Sequence, residues 1–243
     1  MVTIGIDSSG LVAGVAIIRD GILTAEYNTQ YKKTHSQTLL PMLAEVCRMT
    51  ETDIAETDCF AVSQGPGSFT GLRIGSATVK GLSLVTGKPV AEIPTVDSIA
   101  AALWGCTGYV VPLMDARRNQ VYTGIYTFEG DGEDMSMRTV MSQRPMDIEE
   151  LAEKLNSLDG VIYFSGDGVP PYLDRIRTLV KRPYRLAPPG MNRQRASCVA
   201  RLGEQYMKEG KAVPGEDHKP VYLRPSQAER ERNEKAGIPS GGI

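Results

Sequence analysis

"YVVPLMDARRNQVYTGIYTFEG", residues 109–130, is an apolar run ending on Asp115, a polar turn, an alternating run and a glycine turn. The N-terminus repeats this design. There "VTIGI" (2–6) leads to Asp7, "DSSGL" makes the turn, "VAGVAII" (12–18) runs back, and Asp20-Gly21 turns once more into "ILTAEYNTQ". Gly21 follows Asp7 by 14 residues and Gly130 follows Asp115 by 15. A single hairpin match means little, because any two antiparallel strands with a tight turn can produce it. Its weight comes from the alternating strand and helix patterns that follow each copy. Together they predict an α/β fold of two duplicated subdomains around a cleft.

After the first hairpin, Leu39, Leu40, Leu43, Val46 and Cys47 recur at helical spacing from Ser36 onward. Pro41 fits only near the start of that helix, where few backbone hydrogen bonds are lost. "CFAVSQ" (59–64) reads as a short buried strand, and "GPGSFTG" opens a helix that runs to about Thr86. "KPVAEI" (88–93) is another strand, and Thr95-Val96-Asp97 starts another helix. In the second half, residues 131–146 are Met-rich and charged and read as a loop. "MDIEELAEKL" is an amphipathic helix, "GVIYFSGDGV" a strand with a glycine turn, and "RQRASCVARLGEQYMKEG" the last long helix. The division is therefore 1–107, 108–224 with its last helix packing back on the first subdomain, and 225–243 as a charged, then glycine-rich, mobile tail.

Composition narrows the function classes. With 41% apolar and 23% charged residues the chain is an ordinary globular protein with room for a sizeable core. A net charge of −2 gives no global basic surface for nucleic acid. No signal peptide, membrane anchor or C-x-x-C pair is visible, so a cytoplasmic protein with reduced cysteines is expected.

The glycines of "SQGPGSFTGLRIG" (63–75) invite a phosphate-binding reading, but the standard patterns fail. No glycine precedes the Lys of a Walker A loop, Thr70 stands where G-x-G-x-x-G needs glycine, and Pro66 removes a backbone N–H. Gly71, Gly75 and Val79 instead fall at i, i+4 and i+8, a small-residue stripe that weakens the helix and implies a close neighbour. That neighbour is either part of the same subunit or a partner helix. His35 and His218 are the only histidines and lack metal-ligand spacing, and no G-x-S-x-G is present. Asp7 and Asp115 sit at hairpin mouths, where a carboxylate could hold Mg²⁺; an Asx turn accounts for either one equally well. Arg117 and Arg118 read as solvated turn residues.

"IGIDSSGLVAGVAII", "THSQTLLPML", "GPGSFTGLRIG", "DARRNQVY" and "PVYLRPSQAE" together resemble the YeaZ/TsaB family, in the family's order from residue 3 to about 229. The resemblance implies two actin-like subdomains of the sugar-kinase, Hsp70 and actin type. It also implies a non-catalytic, activating subunit in the making of N6-threonylcarbamoyladenosine at adenosine 37 of tRNA. The partners would be the catalytic paralogue TsaD and the ATPase TsaE, with a homodimer in isolation. The tRNA would be met through the complex, and no membrane is involved. No cofactor is expected in this chain; ATP or ADP and a metal ion belong to the partner subunits or the interface. The metal-binding H-x-x-x-H of the paralogue aligns near His35, where Leu39 takes the second position. Asp7, Ser8, Asp115 and Gly166 would mark a degenerate nucleotide cleft. The implied partner interface comprises His35, Leu39, Leu43 and Cys47 on one helix, then Ser68, Phe69, Thr70, Gly71, Leu72, Gly75 and Val79 on the next. A stand-alone actin-like ATPase or kinase, or the peptidase of the family's older labels, is the alternative.

Overall fold

A computed structural model describes residues 1–31, 34–117, 119–132 and 135–224. The predicted tail, 225–243, lies outside the described residues, as does Arg118. The first hairpins form β1 (Val2–Asp7), β2 (Ala13–Arg19) and β3 (Ile22–Thr29). They are followed by α1 (His35–Met49), β4 (Cys59–Gly65), α2 (Phe69–Thr86), β5 (Val90–Pro94) and α3 (Thr95–Ala101). The second half repeats this order with β6 (Tyr109–Asp115), β7 (Gln120–Glu129), β8 (Ser136–Asp147), α4 (Ile148–Asn156), β9 (Ile162–Ser165), α5 (Val169–Leu179), β10 (Tyr184–Leu186) and α6 (Ala196–Lys208).

Each half builds a five-stranded mixed sheet, in the orders β3-β2-β1-β4-β5 and β10-β9-β6-β7-β8. In both, the three hairpin strands pair antiparallel and the remaining two join in parallel. Topology therefore extends the repeat seen at Asp7 and Asp115 to every element.

Side-chain alternation decides what covers each face of the first sheet. Ile4, Ile6, Val15, Ile17, Phe60 and Val62 point to α1 and α2, and meet Leu39, Leu43, Val46 and Val79 there. Their neighbours in register, Ala16, Ile18, Cys59, Ala61, Ala91 and Ile93, point the other way, onto Ala196, Ala200, Val199 and Leu202 of α6. The approach is close because small residues line it: a Cβ on Gly5 would strike the backbone of Ala196 and Ala200, and one on Gly203 would strike Ala61. α3 in turn lays Val96, Ile99 and Ala100 against Val110, Met114 and Tyr126 of the second sheet. On that sheet's far face α4 and α5 close a core around Val111, Leu113 and Phe164. The last helix of each half thus packs on the other half's sheet.

Two parts of the second half differ from the sequence reading. Residues 136–147 are a strand, not a loop: β8 is an edge strand whose only buried residues are Met141 and Met146, so its apolar alternation is too sparse to register. α5, to which the sequence reading assigns no element, begins with Pro170-Pro171, a pair compatible with the first turn of a helix, where the missing N–H groups would be unpaired anyway.

Candidate functional site

Asp7 ends β1 and is completely buried. Its Oδ1 accepts the backbone N–H of Ser9 at 2.8 Å and the Ser9 hydroxyl at 2.7 Å, while Oδ2 accepts the Ser63 hydroxyl at 2.7 Å. Burial pushes the carboxyl up from its ordinary range, against the pull of these hydrogen bonds. At the equivalent place in the second half, Asp115 is exposed and accepts the Arg117 N–H at 2.7 Å. Both are Asx turns that close their own hairpins. Gly166, with φ 99°, lets the turn after β9 press against the carbonyl of Leu113. Next to it the largely buried Asp167, which sequence reading passed over as a turn residue, is also pushed up by burial.

The glycine-rich loop sits directly on the Asp7 turn. Ser68 N–H donates to the Ser9 carbonyl at 2.7 Å, and the Ser8 hydroxyl donates to the Gly71 carbonyl at 2.8 Å. A Cβ at Gly67 would collide with the Ser9 carbonyl, one at Gly71 with the Ser8 carbonyl, and one at Gly75 with the Ser8 hydroxyl. The first turn of α2 is capped by the chain itself, since Ser68 Oγ accepts the Gly71 N–H. A phosphate or divalent cation does not fit this donor set: Asp7 has both oxygens engaged, and Ser8 and Ser9 lie over the helix start where an anion would bind. Among the described residues no group of three His, Cys, Asp or Glu side chains comes together in a metal-binding arrangement.

The helices α1 and α2 lie side by side, and the structure revises which of their residues face outward. Leu39, Leu43, Cys47, Leu72, Gly75 and Val79 are buried in the chain's own core, and Gly71 is buried under the Asp7 turn. In the single chain they face inward. The i, i+4, i+8 stripe of Gly71, Gly75 and Val79 exists, but the neighbours it admits are Ser8 and Val62 of the same chain. His35 is half-buried, and its Nε2 lies 2.8 Å from the Gly10 carbonyl. Ser68 and Thr70 are exposed. Phe69 is half-buried, stacked on Tyr222 at 4.3 Å, with the Arg73 guanidinium 4.1 Å from its ring centre and the Arg73 Nε donating to the Tyr222 hydroxyl at 3.4 Å.

The outward face is a different stripe. On α2 it is Thr70, Arg73, Ala77, Gly81, Leu84 and Val85; on α1 it is Ser36, Gln37, Leu40, Pro41, Ala44 and Met49, with the Glu45–Arg48 ion pair beside them. Leu84 and Val85 are 87% and 86% exposed, and open space surrounds Gly81. Sequence reading missed Leu84 and Val85 because they adjoin the helix end at Gly87. Their one signal is an apolar pair out of phase with Val79.

A family model described as TsaD, tRNA N6-adenosine threonylcarbamoyltransferase, matches residues 23–231. The chain is 29% identical over 232 residues to the tRNA threonylcarbamoyladenosine biosynthesis protein TsaB of Bacillus subtilis (strain 168), covering 94% of this chain and 96% of that protein. It is also 29% identical over 223 residues to the TsaB of Escherichia coli (strain K12), covering 91% of this chain and 94% of that one. Among solved structures, YeaZ from Pseudomonas aeruginosa superposes with a TM-score of 0.78 at 25% identity, covering 91% of this chain and 99% of that chain.

Proposed function

Because the chain belongs to the family described as TsaD, tRNA N6-adenosine threonylcarbamoyltransferase, and is related to TsaB and YeaZ proteins, we propose that it is a non-catalytic subunit of that machinery. Its role lies in making threonylcarbamoyladenosine in tRNA. In this role it activates the catalytic paralogue TsaD by binding it, and the ATPase TsaE joins the pair in the cytoplasm. Two copies of the chain would use the same surface when the paralogue is missing. ATP or ADP and a metal ion would be held by the partner subunits or at the interface, and tRNA would be met through the complex.

The observation that carries this reading is the outward stripe of α1 and α2. Leu84 and Val85, with Gly81 and Ala77 on the same side of α2, are exposed apolar and small residues, and Leu40 is exposed on the adjacent α1. Such a face is unfavourable in water and admits close helix contacts; covering it stabilises a pair by about 25 cal/mol per Å² before the costs of association. The buried Asp7 supports the non-catalytic part, because both its carboxylate oxygens accept structural hydrogen bonds.

The test is a Leu84→Glu/Val85→Glu double variant. We expect an unchanged circular dichroism spectrum and melting temperature, with loss of co-elution with the paralogue and of tRNA modification in the reconstituted complex. Co-elution at wild-type strength would refute the assignment of this face. Turnover of ATP by the isolated chain, abolished by Asp7→Ala, would instead favour a stand-alone enzyme.

A further inference from the structure

After α6 the chain turns back as a strap, residues 212–224, along α2 and the ends of β4 and β5. Val213 forms a two-way bridge with Val90, extending the edge of the first sheet. The Val221 N–H donates to the Gln64 carbonyl at 2.8 Å, and Lys80 Nζ donates to the Glu216 carbonyl at 3.2 Å. Gly215 packs under Ser83. At its far end the strap supplies Tyr222, which stacks on Phe69, and Arg224, which donates to the Ala116 carbonyl at 2.9 Å in the second half. The strap therefore ties the start of α2 to the Asp115 turn.

One side chain anchors its middle. His218 is 1% exposed, and its Nδ1 lies 2.7 Å from Glu92 Oε1, which also accepts the Lys219 N–H at 3.0 Å. A carboxylate oxygen only accepts, so Nδ1 carries the proton. Nε2 is buried with no partner among the described residues. In the neutral ring this nitrogen is an idle acceptor. In the charged ring it becomes a buried donor with nothing to receive its hydrogen, which is the costlier state.

We propose that the strap is a latch held shut by uncharged His218, so that acidification frees residues 212–224 and loosens the Phe69–Tyr222 clamp at the start of α2. The charged groups acting on the ring are Glu92 from β5, which favours its protonation, and Lys80 from α2, which opposes it. Glu216 and Asp217 on the strap itself are exposed. Burial is the largest effect and pulls His218 below its ordinary value of 6.5. With the folded value depressed, the opened strap binds more protons than the closed one between the two values. The latch is thus at full strength above about pH 6.5 and weakens as pH falls through the folded value.

The chain has two histidines, so their imidazole C–H resonances can be followed without overlap in the full-length protein. His35→Gln assigns them. We expect His218 to titrate below 6.5. Amide exchange at Val213 and Val221, corrected for intrinsic chemistry, should accelerate about tenfold for each pH unit between 6.5 and that midpoint. His218→Gln, whose amide can still donate to Glu92, should abolish this acceleration. Titration of His218 at or above 6.5, or strap exchange that stays flat through its titration, would overturn the proposal. Should His218→Gln fail to fold, the wild-type titration and exchange decide alone.

Discussion

Alanine at Gly71 and alanine at Gly81 should act in opposite directions although both lie on α2. At Gly71 the added methyl meets the Ser8 carbonyl, a backbone atom held by the Asp7 turn, and overpacking of this kind costs about 1–3 kcal/mol. At Gly81 nothing lies within 4 Å, and replacing a mid-helix glycine with alanine stabilises by up to about 1 kcal/mol. Urea unfolding of the two variants checks both signs; destabilisation by Gly81→Ala would mean that this face is already covered. The glycine stripe was legible in the sequence as a demand for close contact. What it contacts was not, because Ser8 is brought to Gly71 only by the parallel pairing of β1 with β4.

At the scale of elements, α6 covers one face of a sheet whose strands all lie more than a hundred residues earlier in the chain. Without it Ala16, Ile18, Ala61 and Ile93 would be in water, a face that loses its hydrophobic stabilisation entirely. A fragment of residues 1–107 should therefore show no cooperative thermal transition by circular dichroism and poor dispersion in its NMR spectrum. A sharp transition in that fragment would show that the first sheet is stable without α6. The same logic explains which elements sequence reading found. β1, β2 and α1 announce themselves by dense local periodicity, whereas β8 buries two methionines along its length and exposes the rest. Edge strands have one covered face and a free side, so their pattern is diluted.

Across the whole molecule, the halves are joined by polar contacts as well as by α3 and α6. Gln143 donates to the Gly65 carbonyl at 3.1 Å and accepts the Val96 N–H at 3.3 Å. The fully buried Tyr126 donates its hydroxyl to Asp97 at 2.6 Å. Burial pushes Asp97 up to about 6, while the Tyr126 hydroxyl pulls it down. A raised carboxyl contributes stability that is complete below its unfolded value and lost as pH rises through the folded one. In Tyr126→Phe the charged carboxylate loses its donor, so the folded value moves higher and the loss continues above pH 6. The variant should be less stable than wild type by about 2 kcal/mol at pH 8 and by clearly less at pH 5, as read by urea unfolding at both. His218 titrates equally in both proteins and cancels from the difference. An equal deficit at the two pH values would mean that Asp97 is not the group that Tyr126 serves.

The repeated α/β hairpins and most of the elements are legible in the chain alone, because strand alternation, helical spacing and turn glycines are local properties written in consecutive residues. The sequence also carries the family resemblance through "GPGSFTGLRIG" and its companions. Packing sets the rest: which side of α1 and α2 faces solvent, that the loop glycines serve the Asp7 turn, that each half's last helix covers the other half's sheet, and that a strap anchored by His218 ties them together. Those are long-range contacts between segments distant along the chain. Their partners are selected by sheet order and helix phase, which no local pattern specifies.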